Sequence, residues 1–287
     1  MRTPLITIGM ATYDDYYGVY STIQALRMYH PICTTPGVEF IVIDNNPDSR
    51  HGRETKNFVT SQVRNGRYIP YTDKVSTSVK NQVFGYSQAE IVLCMDCHVM
   101  IQPGSLEALV EYFMTPGNQK DIVSGPLLYD DLRNISTHFQ PGWSGQMYGT
   151  WATDSRAHLG QPFEIPMNGC GLFSMMRDHW PQFSPHFVGF GGEEWYIQEK
   201  VRQRGGRAIC LPALKWNHRF GRPEGVHYPN TFDDRVFNYY VGWLELYKDP
   251  TNEMVRSITQ HFSLVLPVNK LNDIFRRAQE TLGITPL

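Results

Sequence analysis

Three apolar-rich runs, each ending in polar residues, constrain this chain more than any other feature in it. Leu5–Met10 runs into Ala11-Thr12-Tyr13-Asp14-Asp15. Phe40–Ile43 runs into Asp44-Asn45-Asn46-Pro47-Asp48, and Ile91–Cys94 into Met95-Asp96-Cys97-His98. Short apolar runs bounded by turn formers read as buried strands. Between the first two lies a helical stripe of Val19, Ile23 and Leu26. Strand, helix and strand at this spacing form a βαβ unit with parallel strands and a right-handed crossover. The three strands then end at one sheet edge, which is where open α/β sheets bind ligands.

At that edge Asp96 and His98 stand two residues apart. Alternate residues of a strand share a face, so the pair is expected to reach one ligand. A carboxylate oxygen with an imidazole nitrogen suits a divalent cation such as Mn²⁺. Taken alone, Asp-x-His fits equally a surface aspartate beside a histidine at the core edge. Pro103 is expected to open a helix carrying Leu106, Leu109, Val110 and Phe113 at helical spacing. Asp44 either accepts a nucleobase imino hydrogen or closes an Asx turn. Thr12-Tyr13 offers backbone contacts and a stacking ring. Lys80, near the start of a helix over 79–87, either meets a phosphate or lies solvated.

The second half is less regular. Asp121–Pro126 reads as a strand. Residues 129–165 carry turn formers and exposed aromatics (Trp143, Tyr148, Trp151), as an acceptor-binding insertion or a β-meander. Glycines interrupt the apolar run Pro166–Met176, which permits close backbone approach. Gly191-Gly192 introduces Glu193-Glu194 at the start of a helix that ends at Gly205-Gly206. Acids there either complement the helix dipole, at about 0.3–1 kcal/mol each, or serve chemistry. Arg207–Pro212 reads as a strand and leads to His218, a structural histidine or a third metal ligand. From residue 230 the pattern is helical. The expected division is an α/β domain over 1–225 with a helical extension over 226–287 packed on it.

Composition narrows the function. A net charge of −2 provides no global basic field for a polyanion. The cysteines number five, with no framework spacing, as expected of reduced thiols. No run approaches transmembrane length, and the N-terminus lacks the apolar core of a signal peptide. The expected location is cytoplasmic.

Six pieces together resemble the nucleotide-sugar glycosyltransferases of the GT-A fold, over roughly residues 4–222. The nearest likeness is to family 2-like enzymes and the polypeptide N-acetylgalactosaminyltransferases. Ile8–Tyr13 resembles the opening motif, Ile41–Asn46 the second-strand acidic motif, and Lys80-Asn81 the basic-Asn pair near the diphosphate. Asp96-Cys97-His98 resembles the metal-binding DxD in its DxH form. Gly191–Glu194 resembles the acidic acceptor motif, and His218 the downstream metal histidine. The usual Asp-Asp after the second strand is here Asp44-Asn45. The resemblance implies a Rossmann-like, mostly parallel sheet flanked by helices, and a UDP-sugar donor with Mn²⁺ or Mg²⁺. It implies metal ligation by Asp96, His98 and His218, and catalysis by Glu193 and Glu194. Donor contacts are implied at Ala11, Thr12, Tyr13, Asp44, Lys80, Asn81, Met95, Asp96, Gly169 and Trp216. The implied acceptor is a glycan or protein hydroxyl. The family resembled also has members predicted to glycosylate hydroxymethylated DNA bases, for which Arg202 to Arg222 and the aromatics of 139–151 are the candidates here. A catalytically inactive nucleotide-sugar binder is the other alternative. DxH enzymes lean to retention and family 2 to inversion, so stereochemistry is open.

Overall fold

Alternating side chains decide the layering. In the second strand Phe40 and Val42 face one core and Ile41 and Ile43 the other, all of them fully buried. In the strand over 91–96, Ile91, Leu93 and Met95 oppose Val92 and Cys94 in the same way. Strands buried on both faces belong to a sheet covered by helices on both sides.

The computed structural model describes residues 3–221 and 225–284. The N-terminal half runs β1 (Ile6–Thr12), α1 (Tyr16–Tyr29), β2 (Val38–Asp44), α2 (Arg50–Gln62), β3 (Gly66–Pro70), α3 (Lys80–Tyr86) and β4 (Ile91–Asp96). There follow β5 (Val99–Ile101), α4 (Ser105–Met114), β6 (Ile122–Ser124), β7 (Leu127–Leu128), β8 (Ile135–Ser136), β9 (His138–Ser144), β10 (Met147–Ala152), β11 (Phe163–Glu164) and β12 (Leu172–Met176). The chain then forms α5 (Glu193–Gln203), β13 (Ala208–Cys210), β14 (Trp216–His218), α6 (Phe232–Tyr247), α7 (Glu253–Phe262) and α8 (Val268–Leu282).

Among the described residues the main sheet has eight strands, in the order β11-β13-β6-β12-β4-β1-β2-β3. Its β3-β2-β1-β4 half is parallel, as the βαβ spacing requires. The register Thr12↔Asp44 and Ala11↔Asp96 sets the three strand ends level. Beyond β4 the sheet mixes direction, because β12 runs antiparallel to both β4 and β6. A second sheet, β5-β14-β7-β8, stands beside this edge.

Several local expectations are corrected. The helix expected at Pro103 begins at Ser105, because Gly104, in the left-handed region at φ +85°, is its cap and Pro103 lies outside. Residues 129–165 do not form a β-meander. They hold the β9–β10 hairpin, a 3₁₀ turn and two short edge strands. Trp143 and Tyr148 are not exposed. Both pack against Trp243, and Trp143 lies beside Tyr239 and Phe262. In the run 166–176 only Leu172–Met176 is strand. The C-terminal helices share one core with the sheet: α6 places Gly242 against Tyr196 and Phe187. Among the described residues no helix is long and apolar enough to cross a membrane, and all five cysteines are buried and outside any disulfide.

Candidate functional site

The site grows from the carboxyl end of β4. Asp96 is the last residue of that strand, and its amide donates to the Gly171 carbonyl at 2.8 Å. His98 does not share the strand's face, because the strand has already ended. Cys97-His98 is a two-residue turn into β5. Thr22 of α1 fixes that turn: its hydroxyl lies 3.1 Å from the Cys97 carbonyl and 3.0 Å from the Val99 carbonyl, and it accepts the Val99 amide. His218 arrives from β14, whose register pairs it with Val99. The His98 and His218 rings therefore meet edge to face, 4.7 Å apart. Strand pairing, rather than strand alternation, brings the two imidazoles to one place.

Asp96 is clasped on both oxygens. Lys80 Nζ lies 2.9 Å from Oδ1, and His218 Nε2 lies 3.2 Å from Oδ2. Lys80, itself buried, also donates to the Cys170 carbonyl at 2.7 Å. Burial pulls the Asp96 carboxyl upward, but Lys80, His218 and His98 outweigh it and hold it well below the usual carboxylate range. For Lys80 burial works downward and Asp96 outweighs it, so the ammonium is kept charged. One ligand atom from each of Asp96, His98 and His218 lies within 4.8 Å of the others. An oxygen and two ring nitrogens so placed fit a divalent cation of the manganese or magnesium class.

Lys80, Asp96 and His98 line a pocket, with His218 behind Asp96. Ala11, Thr12 and Tyr13 from the end of β1 form one side, with Asn45 after β2. The opposite wall is Val75–Thr77, Gly189, Phe190 and Tyr228, the two aromatic rings 5.3 Å apart. Ser76 and Gly189 bridge this wall together, and the Thr77 amide donates to the Gly189 carbonyl. The Thr12 and Thr77 hydroxyl oxygens are buried without a protein hydrogen-bond partner, which suits a polar ligand.

The acid pair sits at the start of α5. Gly191 and Gly192 both adopt positive φ (96° and 91°), and a Cβ on Gly191 would meet Arg235 Nε at 2.7 Å. Glycine is thus required by conformation and by space. Asn238 of α6 clasps the turn, donating to the carbonyls of Val188 and Gly191 and accepting the Val188 amide. Glu193 and Glu194 are buried, 2% and 8% exposed, and neither lines the pocket. Burial first, and the neighbouring Glu194 second, push the Glu193 carboxyl up to about 8. Glu194 is raised as well, by burial. Lys80 and Arg235 act on both acids in the opposite direction. Glu193 Oε2 has no protein partner.

Five sequence candidates fall elsewhere. Asp44 is 1% exposed, with its oxygens taken by the Asn46 amide at 2.9 Å and the Tyr68 hydroxyl at 2.8 Å. The Asx-turn reading describes it, and Asn45 lines the pocket instead. Asn81 is spent on the segment after β12: it accepts from Trp180 Nε1 and the Phe183 amide and donates to the Phe183 carbonyl. Met95 is core. Trp216 is core and donates to the Gly125 carbonyl. Gly169 lies beneath Trp151, whose ring a Cβ would meet at 2.9 Å. In the arginine-bearing segment Arg204, Arg207 and Arg219 are exposed and Arg202 is partly buried. Arg202 binds the Pro166 carbonyl and Glu199, and Arg207 binds Asp121. Arg222 lies outside the described residues. Sequence reasoning missed Asp15, which caps α1 through the Gly18 amide and also accepts from His98 Nδ1 at 2.9 Å and Arg219 at 2.8 Å. Its capping position was legible; its contacts across 83 and 204 residues were not.

A parallel-rich sheet flanked by helices, with an acid at the carboxyl end of β4 and two histidines beside it, is the architecture of the GT-A fold. The family model for glycosyl transferase family 2 matches residues 7–179, more than half of the chain, and the chain belongs to that family. It is 26% identical over 170 residues to a probable N-acetylgalactosaminyltransferase 6 of Caenorhabditis elegans, a match covering 53% of this chain and 27% of that protein. Among solved structures it resembles GalNAc-T7 with UDP, GalNAc and Mn²⁺: TM-score 0.67, 14% identity, 98% of this chain and 57% of that one. It also resembles the mannosyltransferase PcManGT of Pyrobaculum calidifontis in complex with GDP-Man and Mn²⁺: TM-score 0.57, 12% identity, 100% of this chain and 77% of that one. The chain thus spans about a quarter of the curated relative and just over half of the GalNAc-T7 chain.

Proposed function

We propose that this chain transfers a sugar from a UDP-sugar to a hydroxyl of a glycan or protein, with Mn²⁺ or Mg²⁺ held by Asp96, His98 and His218. The observation that carries the reading is Asp96 itself. Its carboxylate is kept ionised at the floor of a pocket, between a buried lysine and two imidazoles. The solved GalNAc-T7, which shares the fold, was obtained with UDP and Mn²⁺, and this supports the choice of nucleotide and metal. The cation, when bound, supplies charge neutralisation for the departing diphosphate.

In this reading the chain's own residues divide the work. Tyr13 and the hydroxyls of Thr12 and Thr77 hold the nucleoside in the pocket. Lys80 is a fixed second positive charge for the diphosphate, preorganised by Asp96 and the Cys170 carbonyl. Burial raises both acids of the pair, and Glu194 is taken as the member that acts on the acceptor. Glu194 is then the general base toward the acceptor in an inverting transfer, or the anion that steadies the sugar's positive charge in a retaining one. The anomeric configuration of the product, read by NMR, separates the two.

The test is calorimetric titration of UDP with Mn²⁺ and with EDTA, beside Asp96→Ala. Metal-dependent UDP binding that weakens at least a hundredfold in the variant is expected. Equal UDP binding with and without metal, or in the variant, would overturn the assignment.

A further inference from the structure

The turn that carries His98 brings a second set of donors together. Cys97, the middle residue of Asp96-Cys97-His98, places Sγ 3.7 Å from Asp15 Oδ2 and 3.7 Å from His98 Nδ1. His98 Nδ1 and Asp15 Oδ2 are 2.9 Å apart. All three side chains line the pocket, so a solvated ion reaches them by the route a nucleotide would take. A tetrahedral cation with bonds of about 2.0–2.1 Å to nitrogen and oxygen and about 2.3 Å to sulfur has a definite spacing between its ligands. That spacing is about 3.3 Å between the light atoms and about 3.6 Å from sulfur to each. The observed distances match within a few tenths of an ångström. Among the described residues, Asp15, Cys97 and His98 form one of two groups with metal-ligand spacing, and His98 belongs to both.

We propose that Asp15, Cys97 and His98 form a second cation site, selective for a thiophilic divalent ion of the zinc class, which antagonises the Asp96–His98–His218 site. Sulfur sets the selectivity: a thiolate favours zinc-like ions over manganese or magnesium, whereas the Asp96 set offers only oxygen and nitrogen. Two effects produce the antagonism. Asp15 now bonds His98 Nδ1 and so orients the ring, as carboxylates commonly do behind metal-bound histidines. An ion between Asp15 and Nδ1 removes that support. It also places a second dication on the same imidazole, well within the screening length of about 8 Å. Arg219, half-exposed and bonded to Asp15 Oδ2, is the cation such an ion displaces. The antagonism rests on the donor-site reading above; the existence of the thiol site does not.

Cobalt(II), a coloured substitute of zinc's size and geometry, is the probe. Titrated into the full chain, it should give a sulfur-to-cobalt charge-transfer band at one equivalent, bleached by added Zn²⁺. Cys97→Ser should abolish the band, Asp15→Asn should weaken cobalt binding at least tenfold, and His218→Ala should leave the band in place. Far-ultraviolet circular dichroism checks that each variant is folded. Absence of the band, or its survival in Cys97→Ser, would overturn the site. UDP affinity in excess Mn²⁺ should fall at least tenfold on adding one equivalent of Zn²⁺, and should not respond to zinc in Cys97→Ser. An equal response in both proteins would overturn the antagonism. Failure of UDP to bind under any condition, with the cobalt band intact, would sink the donor reading and leave the thiol site standing.

Discussion

Two carboxylate settings share the influence of Lys80 and end up in opposite states. Asp96, at the end of β4, keeps a quarter of its side chain exposed and is flanked by an ammonium and two imidazoles. Glu193, at the start of α5, is almost wholly buried, and the charged neighbour that acts on it most is another glutamate. Burial raises both acids. At Asp96 the cations win and the group stays an anion; at Glu193 burial and Glu194 win and the group holds a proton. The sign of the neighbours, more than depth, decides which acid is ready for a cation and which is ready to exchange protons.

The sharpest way to break this comparison is Asp96→Ala, which leaves the buried Lys80 ammonium unpaired. Beyond the loss of UDP binding, urea denaturation should show a stability loss of about 3–5 kcal/mol, the cost of stranding one partner of a buried pair. A loss below about 1 kcal/mol would mean that Lys80 finds another partner and the clasp is weaker than its geometry. Glu194→Gln should next lower the transfer rate by about 10²–10⁴-fold with the fold intact, measured as sugar transfer at saturating donor. Unchanged rates would remove the pair from the chemistry.

The pH dependence of stability tests the other half. The folded-state pKa of Glu193 stands at about 8, above its unfolded value near 4.3. A raised acid contributes stability fully present below the unfolded pKa and lost as pH rises through the folded one. Glu193→Gln should therefore match the parent near pH 4 and exceed it by about 2–4 kcal/mol at pH 9, seen in thermal unfolding across pH. A gap that does not grow with pH would show that the proton is not held there. Tyr68→Phe removes the hydroxyl bonded to Asp44 and should cost about 1–3 kcal/mol. At the small end, Arg50→Ala breaks an exposed pair with Glu54 on α2 and should leave the urea-unfolding midpoint unchanged.

How much of this was legible beforehand follows the range of the interactions. β1, β2, β4, α1 and α5 announce themselves through local pattern: apolar runs, helical stripes, and glycines before acids. The level strand ends follow from right-handed parallel crossovers. Asp96 and His98 were paired by strand alternation, yet His98 is set by a turn braced by Thr22 and His218 reaches Asp96 from β14, contacts spanning 77 and 122 residues. For Asp44 the Asx turn was one of the two readings the sequence offered, but its second partner, Tyr68, sits on the neighbouring strand and was not legible. Asn81 was misread because its partners lie about a hundred residues on. Asp15 reads as a helix cap, and nothing local signals that the same oxygen serves His98 and Arg219. Local chemistry shows in sequence; the second partner of a polar side chain generally does not.

The reversed strand β12 has a consequence for how the chain comes together. It delivers the Gly171 carbonyl to Asp96 and the Cys170 carbonyl to Lys80, and His218 arrives later still from β14. The parallel β1–β4 half can pair from local and medium-range segments. The clasp around Asp96 must wait for residues 75 and 122 positions further along. Loop closure over such spans is slow and comes only after nearer contacts have formed. During synthesis, then, an emerging chain can pair the parallel half of its sheet before the clasp around Asp96 closes, and closure of that clasp reports that the chain has been made and folded at least as far as β14.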